Sequence, residues 1–175
     1  REALAALGGL AINLSGQSVT DPELVDFVRE RLEDNDVPAA RISFEVTETA
    51  AIARLDEARQ VLLGLKALGC SSALDDFGTG LSSFEFLREL PVDYLKIDGA
   101  FVKGIADNPN DHGVVRSIKE IGHIMDKRTI AEYVTDDAVL RCIHAIGVDL
   151  VQGFGVEAPR TLDELRSARA DTPED

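Results

Sequence analysis

The sequence predicts an α/β domain: a (β/α)8 barrel of the TIM type, N-terminally incomplete, with about six βα units present. Three observations predict it. Short apolar runs alternate with longer stretches of helical periodicity. Each apolar run ends in a polar residue. Those residues, Asn13, Glu45, Asp75, Lys96, Glu132 and Gln152, follow one another at intervals of 20 to 36 residues, about one βα unit apiece. In a barrel the strand C-termini converge on one mouth, where such a ring forms a site. An open doubly wound sheet, which spreads the same residues along an edge, is the alternative.

The elements follow in order. Arg1 to Gly9 reads as the tail of a helix leading into a first strand, Leu10 to Leu14. Asp21-Pro22-Glu23 sets a capping carboxylate, a first-turn proline and an acid ahead of a helix whose Leu24, Val28 and Leu32 share one face. The strand Ile42 to Val46 comes next. Leu55, Ala58, Leu62 and Leu65 then form a second helical stripe, stopped by Gly69, before the strands Ser71 to Asp75 and Tyr94 to Ile97. A third stripe, Val114, Ile118, Ile121 and Met125, precedes the strand Thr129 to Val134. A fourth, Val139, Ile143 and Ile146, precedes Leu150 to Phe154. Thr161 to Ala170 reads as a terminal helix, which makes residues 1–170 one partial domain and 171–175 a frayed tail. A full barrel takes ~250 residues and eight strands, so the rest of the wall is expected upstream of Arg1.

Composition narrows the function. The chain has 175 residues, 18 basic and 32 acidic, for a net charge of −14. Such a surface excludes DNA or RNA binding by counterion release, which needs a basic face. A phosphate ligand, if one binds here, is expected to bind through a metal ion. No apolar run reaches the ~18–20 residues of a membrane helix, and the N-terminus lacks a signal-peptide layout. The expectation is a cytoplasmic module without direct membrane contact, possible also as the cytoplasmic part of a membrane-anchored signalling protein. Cys70 and Cys142 read as free thiols, and His112, His123 and His144 as surface or interface residues.

Glu45, Asp75, Asp76 and Glu132, with Asn13 as a neutral donor, form an all-oxygen set without histidine or cysteine. Such donors suit Mg²⁺ or Mn²⁺ rather than zinc. Adjacent Asp75 and Asp76 allow one carboxylate to bridge two ions while its neighbour holds the second. Two ions ~3.5–4 Å apart stabilise the attacking and departing oxygens of phosphodiester hydrolysis. Lys96 would orient or help deprotonate the attacking water, or neutralise phosphate charge. Taken alone, Asp75-Asp76 reads as a solvated turn, but the whole ring favours metal. The glycine-spaced segment from Asp76 to Ser83 fits a ligand-facing loop and an ordinary βα turn equally well.

Asn13-Leu14-Ser15, Glu45-Val46-Thr47-Glu48, Asp75-Asp76-Phe77-Gly78-Thr79-Gly80, Leu95-Lys96-Ile97-Asp98, Ala131-Glu132 and Val151-Gln152-Gly153 resemble, in order and spacing, the EAL-domain cyclic di-GMP phosphodiesterases. The resemblance runs from about Leu10 to about Leu165. It implies a modified (β/α)8 barrel in which two Mg²⁺ or Mn²⁺ ions support opening of cyclic di-GMP to pGpG, in bacterial second-messenger signalling. It implies metal ligation by Asn13, Glu45 and Asp75 for one ion, and by Asp75, Asp76 and Glu132 around the other, with Glu132 a ligand or a base. By the same resemblance Lys96 holds the catalytic water, Gln152 and Asp76 lie near the nucleotide, and Glu48 anchors the loop from Asp76 to Ser83. Family members are commonly dimeric and attached to upstream GGDEF or sensory domains, so a homodimer and such neighbours are expected partners.

Two departures matter. The signature that names the family lies several dozen residues upstream of the asparagine strand, and Glu2-Ala3-Leu4 stands too close to Asn13 to be it. The isolated chain is therefore expected to have little or no activity. Thr135 also stands where the family usually has a further glutamate, and Leu81 replaces a common tyrosine. Thr135 favours a degenerate member that binds cyclic di-GMP without cleaving it. A protein-binding antagonist is a third possibility, disfavoured by the retained oxygen ring.

Overall fold

The computed structural model describes residues 8–79, 84–161 and 163–164. The expected N-terminal helix tail up to Leu7, the loop residues Gly80 to Ser83, most of the expected terminal helix and the tail lie outside them. Six strands, β1 (Leu10–Leu14), β2 (Ile42–Thr47), β3 (Ser71–Phe77), β4 (Tyr94–Ile97), β5 (Arg128–Ala131) and β6 (Leu150–Val151), form one parallel sheet in sequence order. Seven α-helices accompany them among the described residues: α1 (Leu24–Asn35), α2 (Glu48–Ala53), α3 (Leu55–Ala67), α4 (Phe84–Glu89), α5 (Gly99–Val102), α6 (Pro109–Ile124) and α7 (Asp137–Ile146).

Strand register decides between the two architectures. Parallel partners share a face, and alternate residues along a strand point the same way. Val46 pairs with Leu74, Leu74 with Leu95, and Ile97 with Ala131, and all are buried in one cluster with Leu62 of α3, Ile118 of α6 and Ile143 of α7. On the same face, Ile42 and Phe44 pack with Val28 of α1 and Val61 and Leu65 of α3. The long helices thus cover one face of the sheet. Right-handed crossovers between strands laid down in sequence order produce this arrangement, and it is a barrel wall, whereas a doubly wound sheet needs helices on both faces.

The helix signals act locally. Asp21 accepts the Glu23 N–H at 2.9 Å just ahead of α1, Asn108 accepts from Asn110 with Pro109 in the first turn of α6, and Asp136 caps α7 through the Ala138 and Val139 N–H groups. Gly69 ends the turn after α3 at φ 94°. The short helices α2, α4 and α5, of 6, 6 and 4 residues, show too few turns for a periodic stripe.

Two strands are shorter than predicted. The run to Val134 breaks after Ala131 because Tyr133 turns left-handed, φ 51°. The run to Phe154 breaks after Val151, and beyond it Gly153 takes φ 153°. Both thiols match expectation, Cys70 buried and Cys142 half-buried. His123 is less free than a plain surface residue. Its Nε2 lies 2.8 Å from Asp149, which also accepts the Thr129 N–H at 2.7 Å. Asp93 makes the same clasp two strands earlier, accepting from Lys66 Nζ at 2.7 Å and from the Ser72 N–H at 3.0 Å. Each aspartate thereby ties the start of its strand to another strand and to a helix on the far side from the strand C-termini. Among the described residues, no helix is long and apolar enough to cross a membrane.

Candidate functional site

The face not covered by helices carries the polar residues. Asn13 pairs with Glu45, Glu45 with Ala73, and Ala73 with Tyr94, so Asn13, Glu45, Asp75 and Lys96 share one face by alternation. Lys96 pairs with Ile130, which carries the same face on to Glu132. Ile130 in turn pairs with Leu150, two residues before Gln152. The six strand-end residues expected from the sequence therefore stand on one side of the sheet.

Three of them converge on the fourth. Lys96 Nζ lies 2.7 Å from Glu45 Oε2, 2.9 Å from Glu132 Oε1 and 3.0 Å from Asp75 Oδ1. The lysine side chain is 4% exposed and the three acids 10–15%. Burial works to lower the Lys96 pKa, but hydrogen bonds to Glu45, Glu132 and Asp75 raise it above the ordinary lysine value. The three carboxylates thus favour the protonated form of Lys96. Burial pushes Glu132 upward and the neighbouring Asp75 charge adds to that, while Lys96 pulls it down.

Asp76 enters through a bulge. Between β3 and β4, Leu74 to Phe77 spans one residue more than Leu95 to Ile97. The extra residue, Asp76, takes φ 56°, a conformation aspartate tolerates better than most side chains. Asp75 and Asp76 consequently do not alternate as ordinary strand neighbours. Carboxylate oxygens of Asp75, Asp76 and Glu132 all lie within 4.8 Å of one another. Desolvation, the Asp75 charge and a hydrogen bond with Asp98 raise the Asp76 pKa.

Asp98 is a site residue that the sequence reading misses. It caps α5, accepting the Ala100 N–H at 2.6 Å, and touches Asp76. A signal for it exists, since Asp98-Gly99 directly follows an apolar strand, but Lys96 already supplies that strand's polar end. Glu48, the first residue of α2, is 4% exposed, and its Oε2 accepts the Gly78 N–H at 3.3 Å. It therefore grips the segment that follows Asp76. Thr135 is exposed, its hydroxyl donating to Asp136 Oδ2 at 2.8 Å.

An open cleft of about 480 Å³ reaches Glu132, with Tyr133, Thr135, Gln152 and Phe154 among its other walls. Gln152 is placed there by its backbone, whose N–H donates to the Ala131 carbonyl at 2.8 Å and whose carbonyl accepts the Val134 N–H at 3.1 Å. The volume falls in the ~300–1,000 Å³ range of small-molecule sites.

The family profile described as "EAL domain" matches residues 2–159. A protein named cyclic di-GMP phosphodiesterase PdeB, from Shewanella oneidensis, is 40% identical over 153 residues, covering 87% of this chain and 18% of that protein. The curated relatives it matches are longer, the chain spanning 18% to 24% of their lengths. A solved structure of the PaMucR phosphodiesterase in complex with c-di-GMP superposes with a TM-score of 0.85 at 32% identity, over 90% of this chain and 64% of that one. The EAL domain of Mycobacterium smegmatis DcpA gives a TM-score of 0.86 at 30% identity, over 94% and 75% of the two chains.

Proposed function

The chain belongs to the EAL-domain family, and from that premise we propose that its site hydrolyses one phosphodiester bond of cyclic di-GMP with two divalent cations, releasing linear pGpG. The observation that carries the reading is the convergence of Glu45, Asp75 and Glu132 on Lys96, with Asp76 brought in by the bulge. The names of the relatives and the c-di-GMP bound in the PaMucR structure support the choice of substrate.

The donor set fits hard cations. Four acidic groups, Glu45, Asp75, Asp76 and Glu132, face the single ammonium of Lys96, three more acids than bases in a partly desolvated pocket. That excess is repulsive without further cations. Asn13, Glu45, Asp75, Asp76 and Glu132 would hold Mg²⁺ or Mn²⁺, oxygen donors throughout. Such ions supply Lewis acidity toward the phosphoryl oxygens and lower the pKa of a bound water.

The remaining steps belong to side chains. Lys96, held protonated, donates hydrogen bonds to the incoming water or to a phosphoryl oxygen and offsets charge there. The proton leaving the water passes to a carboxylate, and Glu132 serves as that base if it is not a metal ligand. Glu48 steadies the segment after Asp76 through the Gly78 N–H. Gln152 and Asp76 border the space where the nucleotide would lie.

A non-catalytic receptor for the same nucleotide is the second reading, favoured by Thr135, whose neutral hydroxyl stands at the cleft wall. One assay separates the two: full-length protein, cyclic di-GMP and Mg²⁺ or Mn²⁺, with binding and linear product recorded together. The proposal expects pGpG, and expects Asp75→Asn to abolish it. Binding without product supports the receptor, and absence of both rejects the nucleotide reading.

A further inference from the structure

Beside Glu132 the cleft carries a side chain for which hydrolysis has no use. Tyr133 adopts φ 51°, a backbone conformation that a bulky residue disfavours and glycine accepts readily. The turn takes its ring out of the strand alternation and leaves it 56% exposed, yet the ring is seated. A methyl group at Gly99 would collide with it, and Lys103 Nζ stands 4.1 Å from the ring centroid. Gly99 opens α5 and Lys103 follows four residues later, so both meet the ring from the helix side. Tyr133 is itself among the walls of the cleft of about 480 Å³ that also reaches Glu132 and Gln152.

We propose that Tyr133 is a stacking platform for one purine base of the bound dinucleotide. The inference rests on the cyclic dinucleotide reading above and deepens it. A purine offers a flat face of matching size, and base–aromatic stacking requires no particular hydrogen-bond pattern. Adjacency in the chain matters as well: Glu132 stands at the phosphodiester and Tyr133 at the base, one residue apart. Lys103 and the bare backbone of Gly99 fix the plane of the ring before ligand arrives, which lowers the ordering cost of binding. A left-handed tyrosine is then maintained for recognition, while the fold itself would accept glycine there.

The test uses a cyclic dinucleotide carrying one 2-aminopurine base, whose fluorescence falls when the base stacks. The probe is titrated into the full-length protein with Ca²⁺ filling the oxygen site, and unlabelled cyclic di-GMP is run in competition. Tyr133→Gly suits the backbone and keeps the fold, which thermal melting verifies, and Tyr133→Phe keeps the ring. The expected result is strong quenching with the parent protein and with Tyr133→Phe. Tyr133→Gly should weaken binding about tenfold or more and lose the quenching at saturation. Equal affinity and quenching in Tyr133→Gly would overturn the platform and leave the cyclic dinucleotide reading intact. Loss of quenching in Tyr133→Phe as large as in Tyr133→Gly would overturn it too. Failure of the parent protein to bind either nucleotide would overturn both.

Discussion

Replacing Lys96 with methionine keeps most of the stem's volume and deletes the one cation among the clustered carboxylates. In the native protein that ammonium lies within 3.0 Å of three acids, on side chains no more than 15% exposed. Removing one partner of a buried ion pair costs about 3–5 kcal/mol, because the other partner's charge stays behind in a desolvated place. For a chain of this size each kcal/mol moves Tm by about 2–4 °C, so Lys96→Met should melt roughly 6–20 °C lower in EDTA. Adding Mg²⁺ or Mn²⁺ should then restore more of the Tm in the variant than it adds to the parent, since bound cations become the only positive charge in the cluster. Calorimetric melts of both proteins, with and without metal, provide the check. A loss in EDTA below about 2 °C, or equal metal-induced gains in the two proteins, would be incompatible with Lys96 as the counter-charge of the cluster.

Two further outcomes follow from the geometry. Asp149 receives the Thr129 N–H at 2.7 Å, the Thr129 hydroxyl at 2.8 Å and His123 at 2.8 Å, and although burial opposes them these contacts lower its pKa from 3.8 to about 2. A depressed carboxylate stabilises the fold above its unfolded pKa and loses that contribution as pH falls. Denaturant midpoints of Asp149→Asn should therefore decline less steeply than the parent's between about pH 4 and pH 2, and parallel profiles would contradict the clasp. Thr135→Glu restores a carboxylate at the cleft wall and should raise phosphodiester turnover about tenfold, the scale of a residue that supports metal ligands from behind; unchanged turnover would show that Thr135 is not limiting.

Much of this architecture is written in local patterns. The strand positions follow from apolar runs with polar ends, and β1 and β4 carry the expected limits because nothing at their termini distorts the backbone. β5 and β6 stop early for reasons that hydrophobicity does not encode, a left-handed tyrosine in one case and Gly153 beyond the other. The choice of barrel over open sheet depends on which face each helix covers. That is a property of register and crossover handedness, and apolar spacing alone leaves it undecided.

The site divides in the same way. Glu45, Asp75, Lys96 and Glu132 are readable as strand ends, and their meeting follows from parallel pairing. The charge state of Lys96 is not readable, since it depends on three carboxylates arriving from positions 51, 21 and 36 residues away in the chain. The bulge that carries Asp76 round is hidden, because it is a mismatch between two strands. Asp98 and Tyr133 escape for a related reason: each lies one or two residues past the polar end of its strand, where the chain turns.

The most direct test of a two-cation site is anomalous diffraction from crystals of the full-length protein grown with Mn²⁺. Two manganese peaks ~3.5–4 Å apart are expected, coordinated by oxygens of Glu45, Asp75, Asp76 and Glu132. Manganese bound only elsewhere on the acidic surface, with Lys96 still occupying the carboxylates alone, would contradict it.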